Sequence, residues 1–146
     1  VTRGSFYWHF SSREELLGAV LGRWERDHSD AVVDALAAVA DPRERLRLLV
    51  TQSLAKPPSI FVRLLDAAER EPLVAAVLHR SATRRTELIA ASLRELGLTP
   101  AEARRRALLA YTSYIGLAHV LRDDPALLPP RERAAYGRHV IAAIVP

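Results

Sequence analysis

The residues best suited to chemistry are concentrated near the beginning of the chain. Five consecutive side chains, from Phe6 to Phe10, carry rings, and Arg3 and Arg13 stand on either side of them. Successive residues of a helix point about 100° apart, so one buried face cannot accept five adjacent rings. Unless these rings cover a small core of their own, some of them face water or a partner. A slim helix with a polar, aromatic outer face fits the DNA major groove, which is about 12 Å wide.

The same segment contains a predicted site for phosphate. Ser12 and Glu15 have the S-x-x-E spacing in which each side chain accepts the other residue's free backbone N–H at a helix start. The free N–H groups of a helix N-terminus attract anions, and Arg13 adds a fixed positive charge there. The pattern indicates a phosphate contact where this helix begins.

Other kinds of site find no support in the sequence. The chain has no cysteine, which excludes disulfides and thiolate metal sites. Its five histidines lack the H-x-x-x-H or carboxylate spacing of a metal site on one helix. There is no G-x-S-x-G motif and no P-loop. We therefore expect neither an enzyme nor a metal or other cofactor.

Composition permits contact with nucleic acid but does not require it. The 146 residues are 49% hydrophobic and carry a net charge of +4, almost all of the basic charge being arginine. This charge is equally compatible with a solvated surface. No apolar run approaches the ~18 residues that span a bilayer, and no signal peptide opens the chain. We expect a cytoplasmic protein without membrane contact, and the absence of an initial methionine suggests that the natural protein extends upstream.

The elements that position these residues all have helical patterns. No useful length alternates with period two. A short helix is predicted over Ser5 to Phe10, followed by one from Ser12. The apolar stripe of this second helix includes Leu16, Leu17, Val20, Leu21 and Trp24 and continues to about Val39. Pro57-Pro58 ends the third helix, and Gly97 is the predicted C-cap of the fifth. The later helices are predicted over residues 42–56, 60–69, 72–96, 100–122 and 130–144, so the expected fold class is all-α.

The opening residues carry a resemblance. The stretch from Val1 to Leu17 resembles the recognition helix and following helix start of the TetR/AcrR family of transcriptional repressors. The family pattern there is close to hydrophobic-Tyr-x-His-Phe, two residues, basic, Glu, x, Leu-Leu. Arginine stands at the position where lysine is commoner. The matching positions are Phe6, Tyr7, His9, Phe10, Arg13, Glu14, Leu16 and Leu17.

The resemblance implies a DNA-binding role for the opening segment. Arg3 and Ser5 would face base edges, because arginine paired with guanine is the commonest specific contact. Tyr7 would reach a phosphate or a thymine methyl, while His9 and Arg13 would hold phosphates. The full expected set is Thr2, Arg3, Ser5, Tyr7, Trp8, His9 and Arg13. The first helices of a helix-turn-helix are not in this sequence, so the 146-residue chain is expected to bind DNA poorly.

The resemblance also implies a division of the chain and a ligand pocket. Residues 1–40 would form a partial helix-turn-helix region and a long connecting helix, and residues 41–146 a helical ligand-binding and dimerisation domain. Ring-bearing candidates for the pocket are Trp24, His28, Phe61, Tyr111 and Tyr114, although aromatic residues at helical spacing also form ordinary core. Arg63, Arg84 and Arg85 are candidates for an anionic ligand, with surface solvation as the alternative.

The two C-terminal helices are the predicted homodimer interface. Both are apolar on more than one side, which suits burial inside and between subunits. The alternative is that both are used in the internal core. The expected contact residues are Leu108, Thr112, Ile115, Gly116, His119, Tyr136, Val140 and Ile144.

Together these patterns indicate a homodimeric regulator of transcription. We expect a repressor that binds double-stranded operator DNA and is released by an unidentified small-molecule effector. The alternative is an all-helical protein-interaction module that binds no DNA. In that case Arg3, Tyr7 and His9 could become alanine without loss of activity.

Overall fold

The computed structural model describes residues 10–55 and 59–146, and within these ranges the chain is helical with no strand. The predicted all-α class is therefore confirmed. Helix α1 covers residues 13–37 and is continuous through an α-helical part (Arg13–Glu25), a π-helical turn (Arg26–Asp30) and a second α-helical part (Ala31–Ala37). A 3₁₀ turn, Pro125–Leu127, precedes the last helix. The other helices are α2 (Pro42–Ala55), α3 (Ser59–Ala68), α4 (Pro72–Glu95), α5 (Pro100–Asp123) and α6 (Pro130–Ile144).

Side-chain caps form at the starts of α1 and α5, but the glutamate three residues after each cap bonds a group other than the backbone N–H of the cap residue. The Ser12 hydroxyl accepts the backbone N–H of Glu15 at 3.1 Å, as predicted. The Glu15 carboxylate, however, accepts the N–H of Ser11 at 2.6 Å and not that of Ser12. At the start of α5 the Thr99 hydroxyl accepts the N–H of Glu102 at 3.3 Å, and the Glu102 carboxylate pairs with Arg106 at 2.8 Å. An arginine one turn along the helix offers a charged donor, which makes a stronger bond than a neutral N–H.

The end of α4 shows why glycine is needed there. Gly97 has a φ of +92°, a left-handed conformation that is strained for residues with a Cβ. The turn lets the N–H of Leu98 reach the carbonyl oxygen of Leu93 at 3.2 Å, which satisfies one of the helix's last free acceptors. The predicted C-cap is thus confirmed.

The described helices surround two apolar clusters, and α4 contributes to both. One cluster joins the end of α1 to α2, the second half of α4 and the first half of α5, with Leu46 and Leu93 among its most buried side chains. The other joins the first half of α1 to α3 and the first half of α4, around Trp24 and Phe61. At 24 residues, α4 is about 36 Å long, which lets one helix connect both clusters.

The π turn shifts which side of α1 faces the core. The buried positions before and after it are Leu21, Trp24, Ser29, Val33 and Leu36. The step from Trp24 to Ser29 is one residue longer than the three or four of an α-helical stripe, because the π turn takes up an extra residue. The predicted stripe was wrong at Val20, which is 56% exposed.

Candidate ligand-binding site

Four of the five predicted ligand-binding residues form one row of rings. His28 stacks on Trp24 with 6.1 Å between ring centroids and 7° between planes. Trp24 also stacks on Phe61 at 6.3 Å, and Phe61 contacts Tyr114 at 5.7 Å. The row runs from the surface of α1 through α3 to α5. Trp24 and Phe61 are buried members of an apolar cluster, so they also have a structural role.

The outer end of the row is a consequence of the π turn. Because the turn adds a residue after Trp24, Ser29 faces inward and His28 is exposed. The His28 ring lies nearly parallel to that of the buried Trp24. His28 is therefore the exposed end of this row and not a polar group deep in a pocket.

A cavity begins at the inner end of the row. It lies between α2, α4, α5 and α6, and Tyr111 and Tyr114 are part of its wall. Its volume is about 50 Å³, which is room for a few water-sized groups, and it is continuous with a depression that opens to solvent. Drug-sized ligands occupy roughly 300–1,000 Å³, so this cavity suits a compact ligand. Its apolar lining includes Leu46, Leu49, Val50, Ile89, Val140 and Ile144.

Arg85 of α4 brings a positive charge to this apolar wall. Its Nη2 donates to the carbonyl oxygen of His28 at 2.8 Å, while its Nε is buried and has no hydrogen-bond partner. Burial raises the pKa of the Tyr111 and Tyr114 hydroxyls, and the charge of Arg85 acts against that rise at both rings. Both phenols are therefore neutral donors at physiological pH.

Helices α1 and α4 meet along a row of polar contacts, which we call the polar seam. Arg80 donates to the Glu25 carboxylate through two bonds of 2.8 and 2.7 Å, and this pairing lowers the pKa of Glu25. Arg84 pairs with Asp30 at 2.5 Å and with Asp34 at 3.0 Å.

Two further contacts complete the polar seam. Between the charged pairs, the hydroxyls of Ser29 and Ser81 share a buried hydrogen bond of 2.8 Å. The bond from Arg85 to the His28 carbonyl also joins α4 to α1. The seam thus joins α1 to α4, the helix that contributes Arg85 and Ile89 to the cavity wall.

Comparison of the chain with protein-family models, curated proteins and solved structures gave no match.

Of the predicted DNA-binding residues, only Arg13 lies within the described part of the chain. Thr2, Arg3, Ser5, Tyr7, Trp8 and His9 lie outside the described residues. Arg13 is the first residue of α1, its side chain is exposed, and it pairs with Glu71, the residue before α4. This pairing lowers the pKa of Glu71 and raises that of Arg13. In this structure a carboxylate thus occupies the place predicted for a phosphate.

The predicted interface residues separate into an exposed group and a buried group. On α5, Leu108, Thr112, Gly116 and His119 are exposed, whereas Ile115 packs partly against the cluster around Trp24. On α6 the structure turns the predicted face inward. Tyr136 and Val140 line the cavity with Ile144, which is buried. These three residues are used inside the chain because α6 packs its apolar stripe against α2 and α5.

Several polar residues that shape the site gave no clear sequence signal. Ser29 and Ser81 are small residues without motif context, and only the extra residue of the π turn makes Ser29 face α4. Arg85 was one of three arginine candidates and is the one that reaches the cavity. Arg45 is buried and ties the α1–α2 connection to α4 by bonds to the Val39 carbonyl, Ser92 and Glu95.

Other kinds of site are not seen in the described ranges. There, no three His, Cys, Asp or Glu side chains are grouped as metal ligands would be. The described helices include none with the length and apolar character needed to cross a bilayer. A wider, open cleft of about 630 Å³ lies between α2 and α6, with Arg47, Arg133 and Arg138 on its walls.

Proposed function

We propose that this chain belongs to a cytoplasmic, ligand-responsive regulator of transcription that resembles the TetR/AcrR repressors. The observation that carries the proposal is the opening motif, in which Tyr7, His9 and Arg13 stand at the family's DNA-contacting positions. The motif leads directly into α1. That helix continues without a break from the proposed DNA-binding end to the aromatic row.

The proposed contact with DNA uses the start of α1. The helix begins at a capped N-terminus with Arg13 in its first turn, and such an end binds phosphate through free N–H groups and the helix dipole. Glu71 holds the guanidinium of Arg13 beside α4. Both side chains are on the surface, so an arriving phosphate has only a weak ion pair to displace.

The proposed response to a ligand acts through α1. The polar seam and buried side chains such as Trp24 hold α1 on α4, and the surface ion pairs of the seam can exchange partners at small cost. A ligand that prefers one position of α1 shifts the population toward it. In a dimer, such a shift changes the separation of two DNA-reading segments, which must match half-sites about 34–36 Å apart.

Selection of DNA from a random pool tests the proposal, using protein expressed from its complete reading frame. We expect salt-sensitive binding to a two-fold symmetric site, because phosphate contacts release counterions. R13A should weaken binding to all DNA sequences. It should also reduce the slope of the logarithm of the binding constant against the logarithm of salt concentration by about 1. R3A should cost about 1–3 kcal/mol and relax one base position.

The matched control is R23A. Arg23 is an exposed arginine of α1 that pairs with Asp27, away from the proposed DNA-binding end. It should bind DNA like the unchanged protein. Equal binding by all three variants would contradict the proposal.

The exposed face of α5 supports a homodimer as part of this proposal. Leu108 and Leu109 are 57% and 53% exposed, and Val120 lies further along the helix, also exposed. Light scattering at micromolar concentration should give a dimer, and L108E should give a monomer. I60E is the control, because Ile60 is equally exposed on α3. A monomeric unchanged protein would refute the dimer.

The same face favours a second candidate function, a helical module that binds another protein. This function requires the apolar surface but not the opening motif. It would replace the first proposal if L108E abolished activity in cells while alanine at Arg3, Tyr7 and His9 did not.

A further inference from the structure

The cavity beside Tyr111 and Tyr114 has the features of a site for a small anion. Its wall is apolar except for a few polar groups, and among these Arg85 carries the positive charge. An unpaired charge against an apolar surface is costly, and an anionic partner removes that cost.

Arg85 differs from its neighbours on α4 in how its charge is balanced. Arg80 pairs with Glu25, and Arg84 pairs with both Asp30 and Asp34. Arg85 has no carboxylate partner among the described residues. Its Nη2 donates to the His28 carbonyl, its side chain also bonds the Tyr114 hydroxyl, and its Nε–H is buried without an acceptor.

We propose that this cavity binds a small apolar monocarboxylate, with Arg85 as the residue that recognises the carboxylate. This proposal rests on the proposed ligand-responsive function and names the ligand class of the same site. The carboxylate accepts from the guanidinium of Arg85, and the phenol O–H groups of Tyr111 and Tyr114 are the remaining donors nearby. The apolar body lies against Leu49, Ile89 and their neighbours.

Charge and size both favour a compact monoanion. One guanidinium balances one negative charge, and apolar walls cannot solvate the second charge of a phosphate monoester. The cavity volume of about 50 Å³ is well below the ~150 Å³ that encloses a benzene ring. A short alkyl chain therefore fits with less movement of the wall than a ring does.

Calorimetric titration of the 146-residue chain with butanoate and benzoate, each beside its neutral amide, tests the proposal. We expect a carboxylate to bind with a Kd of roughly 10 μM to 1 mM, because so few atoms make contact. The amide should bind about 10- to 100-fold more weakly, the value of a hydrogen bond to a charged group. Butanoate should bind more strongly than benzoate, and the reverse order would contradict the argument from cavity size. Equal binding of acid and amide, or no binding of either acid, overturns the proposal.

A pair of variants locates the site. R85M should lose the preference for the acid over the amide. R133M is the control, since Arg133 also has a buried, unpartnered Nε but lines the cleft between α2 and α6. Loss of the preference in R133M and not in R85M would place the anion in the wrong cavity and refute the proposal. If R85M does not fold, the comparison of acid with amide on the unchanged chain still decides the outcome.

These measurements are independent of DNA. Carboxylate binding without any DNA binding would leave this inference standing and defeat the proposed function. DNA binding without carboxylate binding would do the opposite.

Discussion

The hydrogen bond between Ser29 and Ser81 allows a prediction whose sign does not depend on the size of the interaction. These side chains are 0% and 2% exposed, and their hydroxyls lie 2.8 Å apart in the polar seam. Replacing one serine with alanine leaves the other hydroxyl buried without its partner, at a cost of about 1–3 kcal/mol. A freed serine can still turn toward a carbonyl one turn back in its own helix. We therefore expect S29A and S81A each to lower the free energy of unfolding by about 1–1.5 kcal/mol.

The double variant S29A/S81A should be nearly as stable as the unchanged protein. It leaves no orphaned hydroxyl and keeps the shape of the contact, so we expect a loss below about 0.5 kcal/mol and a coupling energy of about 1.5–2.5 kcal/mol. Urea unfolding followed by helical circular dichroism measures all three variants. T112A is the control, because the Thr112 hydroxyl is exposed and bonds its own helix. A double variant that loses the sum of the two single losses would refute the coupling.

Three further predictions address the core, the seam and the α5 face. F61A should lower the free energy of unfolding in urea by about 3–5 kcal/mol. I60A, at a neighbouring exposed position, should change it by less than about 0.5 kcal/mol. Similar losses in the two variants would show that the aromatic row is not part of the core. Arg80 lowers the pKa of Glu25 in the folded protein. The ion pair therefore stabilises the fold fully above about pH 4.3, the pKa of an unperturbed glutamate, and this stabilisation is lost as pH falls through the lowered pKa of the folded state. E25Q should thus be roughly 1 kcal/mol less stable at pH 7, and the difference should disappear as pH falls through the lowered pKa of Glu25. A difference that stays constant on acidification would contradict the ion pair. Gly116 has open space where a Cβ would stand, so G116A should raise the free energy of unfolding of the single chain by about 0.5–1 kcal/mol at nanomolar protein concentration. A lower free energy of unfolding would show that the added methyl group meets other atoms.

The helix boundaries could be read from the sequence because strong local signals coincide there. Proline is the first residue of four described helices, α2, α4, α5 and α6. It fits that position because its missing N–H would be unpaired anyway. Gly97 supplies the left-handed turn that ends α4. Such signals act within a few residues and need no knowledge of the rest of the fold.

The candidate site was predictable only in part. Trp24, Phe61 and Tyr114 were found because large rings at helical spacing face the interior, and three helices then bring them together. The π turn was not predictable, since no residue from Arg26 to Asp30 marks it in the sequence. Because of this turn Ser29 faces the interior and His28, the predicted ligand-binding histidine, is exposed. The inward turn of Tyr136, Val140 and Ile144 depends on how α6 settles on α2 and α5, which helical periodicity cannot reveal.

The position of Arg85 connects the two proposals through one side chain. Its Nη2 bonds the His28 carbonyl at the π turn of α1, and its side chain is also part of the cavity wall. A carboxylate that draws the guanidinium toward the cavity weakens the bond to α1. That bond contributes at most about 1.5–3 kcal/mol, the range for a charged donor, and typical allosteric couplings are about 1–3 kcal/mol. Turning an equilibrium from 1:99 to 99:1 requires about 5.5 kcal/mol. Arg85 alone therefore supports a graded response. A complete switch would require the ion pairs of Arg80 and Arg84 in the polar seam to rearrange with it.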